Sequence, residues 1–298
     1  MIGKKRWAAY GMGTSMLLGG CTGPDNTPQL QVQDQYERAQ DYKGEGYSLN
    51  NGEENDKLAE AHREEVEQAV KTFFIENYKT EVKVHNLVGN VDGVTVFVES
   101  TGPVHFYSFA IVPIDQGTGE VVPERVWSRD DVVEEGIREG LYRILFDEEF
   151  KRLEHYLEKV ASEGEVVGRT VESLQNVGGS GYMTPHYTIT SFHGDEAIKP
   201  VYDLYMNNPD SRKEELIRAF DEKSVDKEYI NINIMLFMED KNATPSEKVL
   251  KRVERDLTEM EGIPHALYTV LINDNRVHKE SFEGYKDNSL KTELTPKR

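Results

Sequence analysis

The chain of 298 residues contains one cysteine, Cys21. That excludes both an internal disulfide framework and a multi-cysteine metal site, so the fold has to be held by a packed apolar core, for which a chain of this length has ample material. Apolar residues make up 37% of the sequence and charged residues 30%, and the mean hydropathy is -0.63. This is the balance of a globular body and not of a polytopic membrane protein, whose spans need about 20 apolar residues each. The 54 acids against 35 bases give a formal charge of -19. A nucleic-acid footprint, which needs clustered Lys and Arg, is excluded on that ground.

The position of the cysteine matters as much as its being alone. Lys4, Lys5 and Arg6 precede an uncharged stretch, Trp7 to Gly20, that ends Leu17-Leu18-Gly19-Gly20-Cys21. A basic n-region followed by a short apolar h-region reads as an export signal, and the glycines at 11, 13, 19 and 20 make it a poor span. The small residues before Cys21 resemble the lipobox of bacterial lipoproteins. The resemblance implies cleavage after residue 20, acylation of Cys21 with palmitate-type chains, and residence on the outer face of the cytoplasmic membrane. Two or more acyl chains hold stably, because each buried CH₂ contributes roughly 0.8 kcal/mol. Lys4, Lys5 and Arg6 are the only charges before Cys21, so residues 22–298 carry -22. An anionic lipid surface repels such a body, which leaves the attachment to the lipid.

Periodicity predicts an α+β fold with helices packed on mainly antiparallel sheet, preceded by the signal peptide (1–20) and a polar tether (21–55). An N-terminal half (56–163), a C-terminal half (164–274) and a polar tail (275–298) follow, as one compact body or two apposed halves. Leu58, Val66, Ala69, Val70, Phe73 and Phe74 give one helix over 56–78. Strands are expected at 81–87, 94–98 and 105–112, the first two joined by an Asp92-Gly93 turn. Ser128-Arg129-Asp130-Asp131 reads as a capping box opening a helix to about residue 161. Gly136 and Gly140 within it suggest close packing. Further helices are expected at 196–206 and 212–222. Residues 229–238 form the clearest strand, with Ile230, Ile232, Ile234, Leu236 and Met238 on one face and Asn231 and Asn233 on the other. Thr244-Pro245-Ser246-Glu247 is expected to cap a helix with Pro at its first position, and 265–272 to form the last strand.

The familiar catalytic and nucleotide motifs are missing. Gly178-Gly179-Ser180-Gly181-Tyr182 approaches a G-x-S-x-G elbow, but Tyr182 replaces the last glycine and the context is loop before strand. His186 and His193 bracket the strand 187–192 too far apart to share a metal. The glycine-rich loop leaves Tyr182, His186 and Tyr187 as the candidate recognition residues, aromatic and hydrogen-bonding groups beside a permissive backbone. No catalytic residue, metal site or cofactor is assigned.

Several segments together resemble an uncharacterised family of Gram-positive lipoproteins catalogued as domain of unknown function 1672. They are Gly44-Glu45-Gly46-Tyr47, Phe73-Phe74-Ile75-Glu76-Asn77-Tyr78, Gln175-Asn176-Val177-Gly178 and, most specifically, the run from Val88-Gly89-Asn90 to Val96-Phe97-Val98. The resemblance implies a lipid-anchored extracytoplasmic protein and supplies no site residues. The function expected first is non-catalytic binding of an envelope protein or extracellular ligand, with the membrane reached through the N-terminal lipid. A cell-envelope hydrolase with dispersed carboxylates is the alternative, and the solute-binding subunit of a transporter the third. Raised carboxylate pKa values in a deep cleft would favour the hydrolase.

Overall fold

The computed structural model describes residues 35–115, 117–192, 194–226 and 229–297. The expected signal peptide (1–20), Cys21, the part of the expected tether up to residue 34, and His193 lie outside the described residues. The chain begins with β1 (Tyr36–Glu37), α1 (Glu53–Ala61) and α2 (Arg63–Tyr78). Next come β2 (Val82–Asn90), β3 (Gly93–Ser100), β4 (Tyr107–Asp115), the short β5 (Glu120–Val121) and the 3-10 turn η1 (Pro123–Arg125). Then follow α3 (Asp130–Leu145), α4 (Asp147–Ser162), β6 (Val166–Val167), α5 (Val171–Val177) and β7 (Tyr187–Ser191). Two helices, α6 (Lys199–Asn207) and α7 (Lys213–Ala219), and the 3-10 turn η2 (Glu222–Ser224) lead to β8 (Ile230–Met238). The described chain ends with α8 (Glu247–Glu259), β9 (Leu267–Asn273), β10 (Val277–His278) and β11 (Leu290–Leu294).

The architecture is α+β. The first large sheet is an antiparallel meander, β2-β3-β4-β5. Its first hairpin turns where Asn90 Oδ1 accepts the backbone N–H groups of Asp92 and Gly93, at 2.8 and 2.9 Å. The second runs β11-β9-β8-β6, with β7 also paired to β8. Among the described strands only β8 and β9 lie parallel, and α8 makes the crossover that a parallel pair requires. Ile230, Ile232, Ile234 and Leu236 of β8 enter a main core that draws residues from Ala59 to Ile272, so both expected halves contribute to one core. On the opposite face Asn231 and Asn233 donate to Thr269 and Thr190. A second cluster, with Tyr42, Tyr107, Phe237 and Phe282, packs beyond them.

Several boundaries differ from the sequence reading. The helix expected over 56–78 is two, broken at His62, whose φ of -114° and ψ of 21° leave the helical region. That expected over 128–161 breaks at Phe146. Ser128 does not cap α3; its hydroxyl donates to the Phe109 carbonyl at 2.6 Å. The cap of α8 is Ser246, whose Oγ accepts the Val249 N–H at 3.3 Å, so Thr244 and Pro245 precede the helix. Gly136 and Gly140 let α3 approach the segment before β4, where a Cβ on Gly140 would stand 2.6 Å from the His105 carbonyl oxygen.

The expected tether and tail are partly built into the body. From Tyr36 onward the chain packs: β1 pairs with β10, Tyr42 is buried, and the Ala39 N–H donates to Asn275 Oδ1 at 2.7 Å. The tail supplies buried Val277 and Phe282 and the strand β11, which pairs with β9. The apolar residues involved are single insertions with no period, which is why the sequence read as polar spacer. Tyr42→Ala is therefore expected to cost about 3 kcal/mol, as for other buried aromatics. Urea denaturation measures it, and an unchanged midpoint would show that the segment contributes nothing.

Candidate functional site

The helix break at Phe146 shapes an apolar cavity. Backbone bonding continues through it, Phe146 N–H to Tyr142 and Phe150 N–H to Phe146, but Phe146 itself leaves the helical region at φ -107° and ψ 39°. Arg143 clamps the junction, donating to Asp147 Oδ1 at 2.7 Å and to both carboxylate oxygens of Glu154 at 3.1 Å. Its guanidinium, with Lys151, holds the Asp147 carboxyl well below its ordinary range. The spacing 142, 146, 150 puts three aromatic rings on one side of this bent helix.

These rings form one wall of a cavity of about 250 Å³. Tyr142 and Phe146 stack at 6.1 Å, and Phe220, just past α7, stands edge-on to both at 6.0 and 5.4 Å. Val225, Ile230 at the start of β8, and Pro264 and Ala266 ahead of β9 close the opposite side. The cavity thus sits at the amino ends of the parallel pair. Besides Tyr142, Glu222 and His265 are its ionisable lining residues. Behind Tyr142, its hydroxyl donates to Asp195 Oδ2 at 2.5 Å. A more open groove of about 640 Å³ runs between α2 and η1, but much of its wall is polar, as at Glu65, Gln68 and Glu124, and already suits water.

The expected recognition residues are placed elsewhere. Tyr187 is 1% exposed and Tyr182 8%, so neither ring forms an open surface. Tyr187 stacks on Phe150 at 6.0 Å and lies 6.1 Å from Tyr182, making a second layer behind the cavity wall. The Tyr187 hydroxyl donates to Glu154 Oε1 at 2.9 Å, tying that layer to the Arg143 clamp. His186 is half-buried against Gly168, away from both rings' shared stack, and burial lowers its pKa. The glycine-rich loop is pinned by Glu139 of α3, whose Oε2 accepts the Tyr182 N–H at 2.8 Å and Oε1 the Ser191 N–H at 3.1 Å. Gly181 takes φ +100° there, where a Cβ would approach Oε2 to 2.3 Å.

Among the described residues two carboxyls have raised pKa values, both through burial: Glu139, pushed up to about 8, and Asp195. Neither lines the cavity. Glu139 and Asp195 spend their oxygens on backbone N–H groups and the Tyr142 hydroxyl, as struts between elements. Among the described residues no group of three His, Cys, Asp or Glu is arranged to hold a metal ion. Sequence reasoning passed over Tyr142, Phe146, Phe150 and Phe220. The first three carry a visible signal, aromatics at i, i+4 and i+8 beside the acidic run Asp147-Glu148-Glu149.

A family model described as protein of unknown function (DUF1672) matches residues 29–297. A crystal structure of a DUF1672 family protein from Staphylococcus aureus subsp. aureus Mu50 is similar, with a TM-score of 0.72 at 19% identity over 89% of this chain and 99% of that one. The fold is shared. A DUF5037 family protein from Ruminococcus gnavus ATCC 29149 aligns with a TM-score of 0.31 at 12% identity, over 78% of this chain and 92% of that one. No curated protein matches.

Proposed function

We propose that this chain, which belongs to the DUF1672 family, is a non-catalytic binding protein that takes a small apolar group into the cavity at the α3–α4 junction. The observation that carries the reading is the cavity itself: aromatic and aliphatic walls from five separate parts of the fold, converging on one enclosed space. Its volume of about 250 Å³ lies just below the roughly 300 Å³ at which small-molecule sites begin. It therefore suits a compact ligand or the head of a larger one. The raised carboxyls, which an acid–base hydrolase would need in a cleft, are occupied as internal struts.

Filling the cavity tests the reading. With 3,3-dimethylbutan-1-ol as a neutral branched probe, titration should shift the NMR signals of Ile230 and Ala266, and Val225→Trp at the half-buried rim should abolish the shifts while the protein stays folded. Shifts that persist in the variant would place the probe elsewhere.

The proposal includes attachment through an acylated Cys21, for the reasons given by residues 4–21. No helix among the described residues is long and apolar enough to cross a membrane. Cys21→Ala is expected to end incorporation of labelled palmitate and to leave the body folded but released, or uncleaved. Unchanged labelling and membrane retention in the variant would overturn the anchor.

A further inference from the structure

We infer that the cavity is selective for an alkylated ammonium group, a head that is apolar in contact and positive in charge. This deepens the binding reading above and rests on it. Four of the lining residues are aromatic, Tyr142, Phe146, Phe150 and Phe220, and none is lysine or arginine. A ring face attracts a cation through its quadrupole, most strongly where water is excluded. The Tyr142 hydroxyl donates to the buried carboxyl of Asp195, which enriches that ring and places a carboxyl behind it. Glu222 supplies a second carboxylate at the exposed edge of the cavity. Arg143 lies 5.7 Å from the centre of the Phe150 ring, but Asp147 and Glu154 already balance its charge. Beyond the site, the charge of -22 on residues 22–298 draws cations toward the surface.

The chemistry separates alkylated from primary ammonium. A lysine-type head entering the cavity gives up water on three N–H donors, and the wall is mainly hydrocarbon, with few acceptors to replace it. A quaternary head has no N–H to satisfy and spreads its charge over methyl groups that pack like any alkyl. A carboxylate or phosphate head would instead meet Glu222.

The test compares choline with its neutral isostere 3,3-dimethylbutan-1-ol on the full chain, by NMR titration at low salt. Choline is expected to bind roughly five- to thirtyfold more tightly, the range that a desolvated cation–π site gives. Glu222→Gln should reduce the ratio of choline to alcohol affinity, and Phe220→Leu, which keeps apolar bulk without a ring, should reduce it as well. Equal affinities, or tighter binding of the alcohol, would overturn the cation selectivity and leave the cavity reading standing. If neither compound shifts the signals of Ile230 and Ala266, the cavity reading itself falls.

Discussion

Gly89→Ala is expected to destabilise the domain by more than about 4 kcal/mol, enough to unfold many proteins of marginal stability. The loss would appear as absent or strongly shifted cooperative melting. Gly89 lies in β2 where the start of α1 crosses it, and backbone meets backbone there. A Cβ on Gly89 would stand 2.2 Å from the Gly52 carbonyl oxygen and 2.5 Å from the Asp56 nitrogen. Rotation of a side chain cannot relieve that clash, since every neighbour is main chain. The crossing is also bonded: the Gly89 N–H donates to Asp56 Oδ1 at 2.6 Å, and Asn55 Nδ2 donates to the Asn90 carbonyl at 2.6 Å. Pushing α1 away from β2 breaks both. The run from Val88 to Val98, the most specific part of the sequence resemblance, begins at this crossing. A melting curve indistinguishable from wild type would mean that α1 does not cross β2 at this distance.

The second large effect concerns Glu139 and pH. Its carboxyl has a pKa pushed up to about 8 in the folded state by burial, against the ordinary 4.5. Between those values the folded protein binds the proton more tightly than the unfolded chain does, so stability is greatest below about pH 4.5 for this group and falls as pH rises through 8. The swing is about 5 kcal/mol, from roughly 1.4 kcal/mol for each pH unit. Glu139→Gln removes the titration and turns an amide N toward a backbone N–H, which costs about 1–3 kcal/mol. Urea midpoints should therefore place the variant below wild type at pH 5 and at or above it at pH 8.5. Asp195, also raised by burial, leaves the variant a residual slope of the same sign. Parallel curves for the two proteins across this range would contradict the buried, protonated strut.

Where one residue type and one spacing determine a structure, the sequence was readable. The alternation of Ile230, Ile232, Ile234 and Leu236 against Asn231 and Asn233 gives β8 and its two faces, and Asp92-Gly93 gives the first hairpin. The helix breaks at His62 and Phe146 carry no Gly or Pro, so apolar periodicity runs through them. Tyr42, Val277 and Phe282 are lone apolar residues in polar segments, and only the second core that receives them reveals their role. The candidate site was half legible. Tyr142, Phe146 and Phe150 share a helical spacing, whereas Phe220 and Val225, between α7 and β8, and Ala266, ahead of β9, arrive from segments far along the chain. Tyr182 and Tyr187, expected as recognition residues, are buried instead, and the Glu154 and Phe150 contacts that hold Tyr187 inward come from α4, which nothing near them in sequence signals.

The central claim is that a ligand's head occupies the space bounded by Phe146, Phe220, Ile230 and Ala266. The most direct measurement is an isotope-filtered NOE spectrum of the methyl-labelled protein with 3,3-dimethylbutan-1-ol. The account predicts cross-peaks from the probe's tert-butyl protons to the methyl groups of Val225, Ile230 and Ala266, all of which line the cavity. Cross-peaks confined to Ala69 and Val126 of the α2–η1 groove, or none to any methyl group, would contradict it.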